Sequence, residues 1–433
     1  MTRRVGVEGE FLIVDGATGR PVALGPVLQR VAEYPNLSSE MKQEQIETCT
    51  PPRLTLADIA RDITAGRRNA DALARLAGAR AAALATSPLP VDSTVAPGER
   101  CGQLMERYGL TAVEQLTCGC HVHVEIESDE EGAAILDRIR IWLPVLQAIA
   151  SNSPFWNGAD TGYAGYRSQA WNRWPTTGPN EIFGSAAAYH SHVRQILGSG
   201  VPLDKASLYF DARLSDHHPT VEVRVADVCL FADDAVLMAA LVRALAETAA
   251  RQWRDGVSPV PVPTAQLRLA SWQASRFGLE SNLIDPVAGE PRPASDVLVA
   301  LLDHVRPVLS EQDELETVEL LLFQVITRGT GAVAQRRAFA YAGGLPEMVA
   351  QAVETTALPA SAVRGRHNHV LEPDQTAGDT QTTAPDPSPT PPSPGPRPAA
   401  GPHTASLRNT EPGPLCWTTR SFNPTQEVPF EQQ

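Results

Sequence analysis

Apolar and polar residues alternate one by one in four stretches of the chain. Each reads as a strand with one face for a core and one face for charge. In Val5 to Asp15 the alternation puts Val5, Val7, Phe11 and Ile13 on one side and Glu8 and Glu10 on the other. Glu40 to Thr50 gives Gln45 and Glu47 a common face. In His121 to Glu127, His121, His123, Glu125 and Glu127 stand opposite Val122, Val124 and Ile126. Thr220 to Val225 sets Glu222 and Arg224 against Val221, Val223 and Val225. Four such strands predict a sheet that rests one side on its core and roofs a charged cleft with the other.

Between the strands the period changes to that of a helix. Leu54 to Leu84 is alanine-rich with apolar residues near helical spacing, and reads as one helix or as two divided at Gly66. Ser128-Asp129-Glu130-Glu131 has the form of a capping box, and a stripe from Ile135 to Ile149 follows it. Helices are also predicted over Asp233 to Trp253, Ser295 to Arg306 and Glu311 to Thr327. Leu208 to Leu214 and Thr220 to Val228 read as a hairpin joined through Asp216-His217-His218-Pro219. Strands and long helices without regular alternation predict an α+β fold. Ser151 to Gly184 is a long aromatic, glycine-containing loop, the kind that carries function. From Leu358 onward the texture changes: residues 358–433 hold 15 of the 37 prolines. Such a segment cannot bury enough apolar surface to offset its ordering entropy. The expected organisation is a catalytic domain over 1–357 and a disordered tail over 358–433.

Composition narrows the partners. A net charge of -14 over 433 residues argues against nucleic acid or an anionic membrane as the main partner and suits a protein that holds cations. Six cysteines are too sparse for a disulfide scaffold, so a reducing cytoplasm is expected. Arg3-Arg4 imitates the start of a signal peptide, but Glu8 and Glu10 interrupt its apolar region. No P-loop, dinucleotide-binding glycine motif or nucleophile elbow is present. The cluster Cys118-Gly119-Cys120-His121-Val122-His123 invites zinc. On a regular strand, however, its cysteines face away from its histidines, which strains a tetrahedral site.

Several motifs occur together in a specific order. They are Gly6-Val7-Glu8-Gly9-Glu10-Phe11, Glu40 with Gln45 and Glu47-Thr48, Gly119 to Val124, Thr161 to Arg167, Pro219 to Arg224, and Gly329-Thr330-Gly331-Ala332 with Gln335-Arg336. In that order and spacing the chain resembles the glutamate-cysteine ligases of type 2, a group of carboxylate-amine ligases, from its start to about residue 345. The resemblance implies a catalytic domain similar to glutamine synthetase, with a curved, largely antiparallel sheet whose concave face holds ATP and Mg²⁺. It implies ATP-dependent amide formation, typically from the γ-carboxylate of glutamate with cysteine or a similar amine, through an acyl phosphate. By position, Glu8, Glu10, Glu40, Glu47, His123 and Glu222 would hold metal. Arg224 with Glu222 would be catalytic, and Arg167 and Gln45 would bind substrate. A homodimer is common for such folds. Two positions depart from the family pattern: Glu125 stands where glycine is usual, which puts a carboxylate on the cleft face beside His123, and Gly165 replaces a small polar residue.

The residues read by themselves agree with that assignment. Mg²⁺ takes oxygen ligands, and phosphoryl transfer needs positioned cations more than covalent help. Two other readings stay open. One is a metal-dependent hydrolase or amidase using His121 and His123. The other is a non-catalytic ATP-binding protein with a proline-rich recruiting tail.

Overall fold

The computed structural model describes residues 2–32 and 36–361. Seven strands form one sheet: β1 (Val5–Asp15), β2 (Leu37–Ser39), β3 (Gln45–Cys49), β4 (Ala79–Ala82), β5 (Gly119–Glu125), β6 (Ala212–Leu214) and β7 (Thr220–Asp227). Every pairing is antiparallel, in the order β2-β3-β1-β5-β7-β6, with β4 added along the far end of β1. The sheet is open, as expected of an α+β fold with one charged face.

The alternation fixes which side is buried. Val5, Val7, Val122, Val124, Val221, Val223 and Val225 lie in the main core. Behind them pack the helices Leu56–Leu76, Asp129–Ile139, Leu143–Ile149 and Ala232–Arg254. Leu56–Leu76 is continuous. The Thr55 hydroxyl accepts its capping bond from the Asp58 N–H, and Gly66 does not break the helix. Gly66 is a point of close approach instead, where an added β-carbon would stand 3.0 Å from Thr48 Oγ1. The residues after this helix leave the helical pattern and become β4. Ala79–Ala82 carries no β-branched or aromatic signal, so neighbouring β1 and not propensity makes it a strand. Ser128 caps its helix, its hydroxyl accepting from the Glu131 N–H at 3.2 Å, but the expected capping box does not close: the Glu131 carboxylate accepts the Glu127 N–H at 2.8 Å and pairs with Arg3. The stripe behind it divides into two helices, the second beginning at Leu143-Pro144.

Arg3 is a buried anchor. Its guanidinium donates to Glu131 Oε1 and Oε2 at 2.7 and 2.9 Å, to Glu247 Oε2 at 2.8 Å and to the Glu125 carbonyl at 2.8 Å. That network ties the start of β1 to two helices. Beyond the expected boundary at 357 the chain stays packed: Ala360 is buried, its N–H donates to Thr64 Oγ1 at 3.2 Å, and the Ser361 N–H donates to Asp233 Oδ1 at 2.7 Å. The rest of the proline-rich segment lies outside the described residues. No helix among the described residues is long and apolar enough to cross a membrane.

Candidate metal and anion site

Strand register brings the polar residues of the other face into a row. Glu10 stands opposite Glu47, Glu8 opposite His121, His123 opposite Glu222, and Glu222 opposite Arg213. Directly opposed side chains are near neighbours, so the row is continuous across six strands, from Arg213 of β6 to Ser38 of β2. Opposite Cys120 to Val122 of β5 the strand β7 carries one extra residue, between Val223 and Ala226. The alternation of β5 keeps both histidines on the cleft side while Cys120 stays in the core. Cys118 is buried in a second apolar cluster, so neither cysteine joins the row.

Glu8 is central. One of its oxygens lies 3.2 Å from His121 Nδ1 and the other 3.2 Å from His123 Nε2. His123 Nδ1 lies 3.1 Å from Thr220 Oγ1. His121 Nε2 is buried without a hydrogen bond, 3.8 Å from Glu10 Oε1. Glu10 accepts the Gly119 N–H at 2.6 Å. Glu47 accepts from Ser38 Oγ at 2.9 Å. Glu40 is not on a strand; it sits between β2 and β3, where its carboxyl shares a hydrogen bond with Glu47. Glu222 is held by two arginines, Arg213 through Nε at 2.7 Å and Arg224 through Nη1.

The electrostatics divide the row in two. Burial, with Glu222 nearby, pushes Glu8 up to about 8 despite Arg224. Burial also drives Glu40 and Glu47 well above the carboxylate range, helped by their carboxylate neighbours. His121 and His123 are held neutral by burial, His121 well below its ordinary value with Arg224 adding to the effect, His123 down to about 4. Burial would raise Glu222 too, but Arg213 and Arg224 outweigh it and keep that carboxyl well below its usual range. Carboxyls packed until they hold protons are short of a cation. Glu8, His121 and Glu222 can each turn one ligand atom to within 4.8 Å of the others. A donor set dominated by carboxylates, with a neutral imidazole nitrogen lacking a partner, fits a divalent cation of the hard class.

The expected site residues therefore converge, with adjustments. His121, left out of the expected metal set, is as well placed as His123. Glu125 does not enter the row: it lies at the strand end, where its carboxylate accepts the Arg4 N–H at 3.2 Å. Gln45 lies beyond Glu47, and its amide nitrogen donates to the Thr117 carbonyl at 2.7 Å, which spans the approach to β5. Arg167, at the start of the helix Tyr166–Trp171, is buried between Trp171 and the backbone of β7, its Nη1 3.5 Å from the Arg224 carbonyl oxygen. Arg213 belongs to no motif, and only the hairpin centred between His217 and His218, which sets it opposite Glu222, points to it.

Arg167 and Arg224 also border a cavity of about 170 Å³ beside the row, with Asp211, Arg268, Trp171 and Trp272 in its wall.

Comparison with known proteins gives a consistent result. Residues 4–361 match the family described as "Glutamate-cysteine ligase family 2(GCS2)". The chain is 49% identical over 364 residues, 82% of this chain and 95% of the relative, to "Putative glutamate--cysteine ligase 2-1" of Paenarthrobacter aurescens. It is 46% identical over 359 residues, 82% of this chain and 99% of the relative, to "Putative glutamate--cysteine ligase 2" of Streptomyces coelicolor. Among solved structures, a glutamate–cysteine ligase from Francisella tularensis in complex with AMP superposes with a TM-score of 0.60 at 12% identity, over 82% of this chain and 88% of that one. A bifunctional glutathione synthetase from Pasteurella multocida gives 0.59 at 17% identity over 82% of this chain, which spans 52% of that longer protein. At such identities these two likenesses speak for the fold alone.

Proposed function

The chain belongs to glutamate-cysteine ligase family 2, and from that premise we propose that it joins a carboxylate to an amine with cleavage of ATP to ADP and phosphate. The observation that carries this reading is the juxtaposition of Glu8, Glu10, Glu40, Glu47 and Glu222 with Arg224 at the mouth of a small cavity. Glu8, Glu10, Glu40, Glu47, His123 and Glu222, with His121 added, would hold Mg²⁺, which when bound neutralises phosphate charge.

The remaining chemistry falls to side chains of this chain. In the first step a substrate carboxylate oxygen attacks the γ-phosphorus of ATP, forming an acyl phosphate and releasing ADP. Arg224, kept charged by Glu222 and the nearby Glu8 and Glu10 even against the cost of its burial, supplies a fixed cation for the phosphoryl oxygens. In the second step the amine attacks the acyl carbon, the C–O bond to phosphate breaks, and an amide and inorganic phosphate leave. Arg167 holds the substrate so that its carboxyl reaches Arg224, and the buried walls of the cleft limit competing attack by water. Glutamate with cysteine or a similar amine is the pair we assign first.

Single-turnover release of ADP, measured with Mg²⁺ and a panel of acids and amines, tests the reading. ADP release dependent on both an acid and Mg²⁺ supports it; no release with any pair refutes it. The unpartnered Nε2 of His121 favours one second reading, a zinc-dependent hydrolase. Stoichiometric zinc retained through chelation would support that alternative and exchangeable Mg²⁺ the ligase.

A further inference from the structure

The segment Gly329-Thr330-Gly331-Ala332 with Gln335-Arg336 lines no part of the cavity. What it holds is the start of the long aromatic loop. Gln335, in the helix Gly331–Ala342, donates through Nε2 to the Asn152 carbonyl at 2.9 Å and to Asn152 Oδ1 at 2.7 Å, across 183 positions of chain. The Ala332 N–H donates to the Ser151 carbonyl at 3.0 Å. Glycine at 331 makes this approach possible, since an added β-carbon there would collide with Asn152 Oδ1. Asn152 Nδ2 donates in turn to the carbonyls of Ala83 at 2.9 Å and Val228 at 2.7 Å, so one amide joins that helix to the chain just past β4 and β7.

The same constraint continues to Arg167. The Asn152 N–H and the Ser153 hydroxyl both donate to Asp227 Oδ2, at 2.8 and 2.7 Å. Ser153 Oγ accepts the Arg167 N–H at 2.9 Å, and the Ser153 carbonyl accepts the Tyr166 N–H at 3.1 Å. Gln335, Asn152, Ser153, Asp227 and Arg167 are all buried. Arg167 needs this support. Its helix, Tyr166–Trp171, has six residues, too few to hold a shape by itself. Its guanidinium is held weakly: Nε has no hydrogen bond, and Nη1 reaches the Arg224 carbonyl at 3.5 Å. The place of the side chain is therefore set mainly from the backbone beneath it.

We propose that Gln335 is a positioning residue for Arg167, fixing Asn152 and, through Asp227 and Ser153, the first turn of the arginine's helix. The consequence for catalysis rests on the ligase reading; the mechanical link does not. Arg336, the next residue, grips a different part of the loop. It donates to Asp160 at 2.9 and 2.6 Å and to the Tyr163 carbonyl at 2.9 Å, in a partly exposed hairpin away from Ser153. It supplies the control, because a general loosening of the loop would follow from either residue and a specific link from Gln335 alone.

Two measurements on the full-length chain test the link. Gln335→Met removes the donor at similar volume. Hydrogen exchange over Ala164 to Trp171 should become about tenfold faster or more, while exchange in β1 stays as in the native chain. In steady-state ADP release with Mg²⁺-ATP, L-glutamate and L-cysteine, KM for glutamate should rise about tenfold with KM for ATP unchanged. Gln335→Met added to Arg167→Gln should cost nothing beyond Arg167→Gln alone, and Arg336→Gln should leave both KM values at their native level. The proposal is overturned if exchange over Ala164 to Trp171 is unchanged, if both KM values rise together, if the effects of Gln335→Met and Arg167→Gln multiply, or if Arg336→Gln reproduces the whole pattern. Should Gln335→Met not fold, Gln335→Asn, which keeps an amide but falls a methylene short of Asn152, is judged by the same outcomes. Failure of the ligase reading looks different: faster exchange over Ala164 to Trp171 in the variant, yet no ADP release by the native chain with any acid and amine.

Discussion

The guanidinium of Arg167 fills the space in which a side chain on Gly119 would begin. Glycine at that position is therefore a condition for the arginine's place beside β7, not a requirement of the strand. Gly119→Ala keeps the N–H that Glu10 accepts but must displace Arg167. We expect KM for the acid substrate to rise about tenfold or more with ATP affinity little changed. Equal KM values in the two proteins would show that Arg167 does not touch substrate.

Glu8→Gln removes a buried charge without changing volume. Because this carboxyl is pushed up to about 8, the variant should be at least as stable as the native chain in chelator at slightly alkaline pH. Its Mg²⁺-dependent ADP release should nevertheless fall by about a hundredfold. Glu10→Gln should lose rate in the same way. Retention of turnover by both variants at ordinary Mg²⁺ would make β1 purely structural.

Arg224→Lys and Glu222→Gln should fail for different reasons. Lysine keeps the charge but not the fork, so the variant should fold and lose turnover that no Mg²⁺ concentration restores. Glu222→Gln leaves Arg213 and Arg224 adjacent without their shared anion, at a cost of about 3 kcal/mol in stability as well as rate. Paired denaturation curves and Mg²⁺ titrations of ADP release separate the two patterns. A fully active Arg224→Lys variant would remove that arginine from the chemistry.

The raised carboxyls also predict a link between metal and pH. Glu8, Glu40 and Glu47 hold protons in the folded chain that the unfolded chain releases, so their stabilising contribution is complete at acid pH and is lost as pH climbs through their folded range, about 8 for Glu8. His121 and His123 act in the opposite sense, their contribution growing with pH, but it is complete once pH exceeds the ordinary histidine range. From about pH 7 to about 8.5 the carboxyls govern. Tm in chelator should fall over that interval, and saturating Mg²⁺ should flatten the slope. Identical slopes with and without Mg²⁺ would contradict the cation assignment.

Truncation should distinguish two nearby end points. A chain ending at residue 361 is expected to melt and turn over ATP like the full-length protein, since a proline-rich segment contributes no core. Ending at 357 removes Ala360 and the bonds to Thr64 and Asp233, and should lower Tm by a few degrees. Loss of cooperative unfolding in the longer truncation would contradict the expected boundary.

The face of each strand was legible because a period of two leaves no freedom: once Val5 and Val7 are inside, Glu8 and Glu10 must share the other side. Register was legible only in part. The turn at Asp216 to Pro219 determines that Arg213 faces Glu222, yet the alignment of β1 with β5 depends on packing that no local pattern records. Glu40 follows the same logic. The period assigns it to a strand, but the chain reverses between Ser39 and Gln45, and contact with Glu47 returns it to the site. β4 was invisible because alanine favours helix.

The order of the strands also dictates a sequence of events during synthesis. β1 receives β3 along one edge soon after it emerges, but Val5 to Gly9 on its other edge wait for Cys120 to Val124. At ribosomal speeds that delay is on the order of ten seconds, during which a valine-bearing edge would lie open beside two glutamates. Charges along an open edge discourage pairing with a second chain. Glu8 and Glu10 would thus guard the nascent strand against such pairing, a part separate from any ligand they take once the sheet is complete.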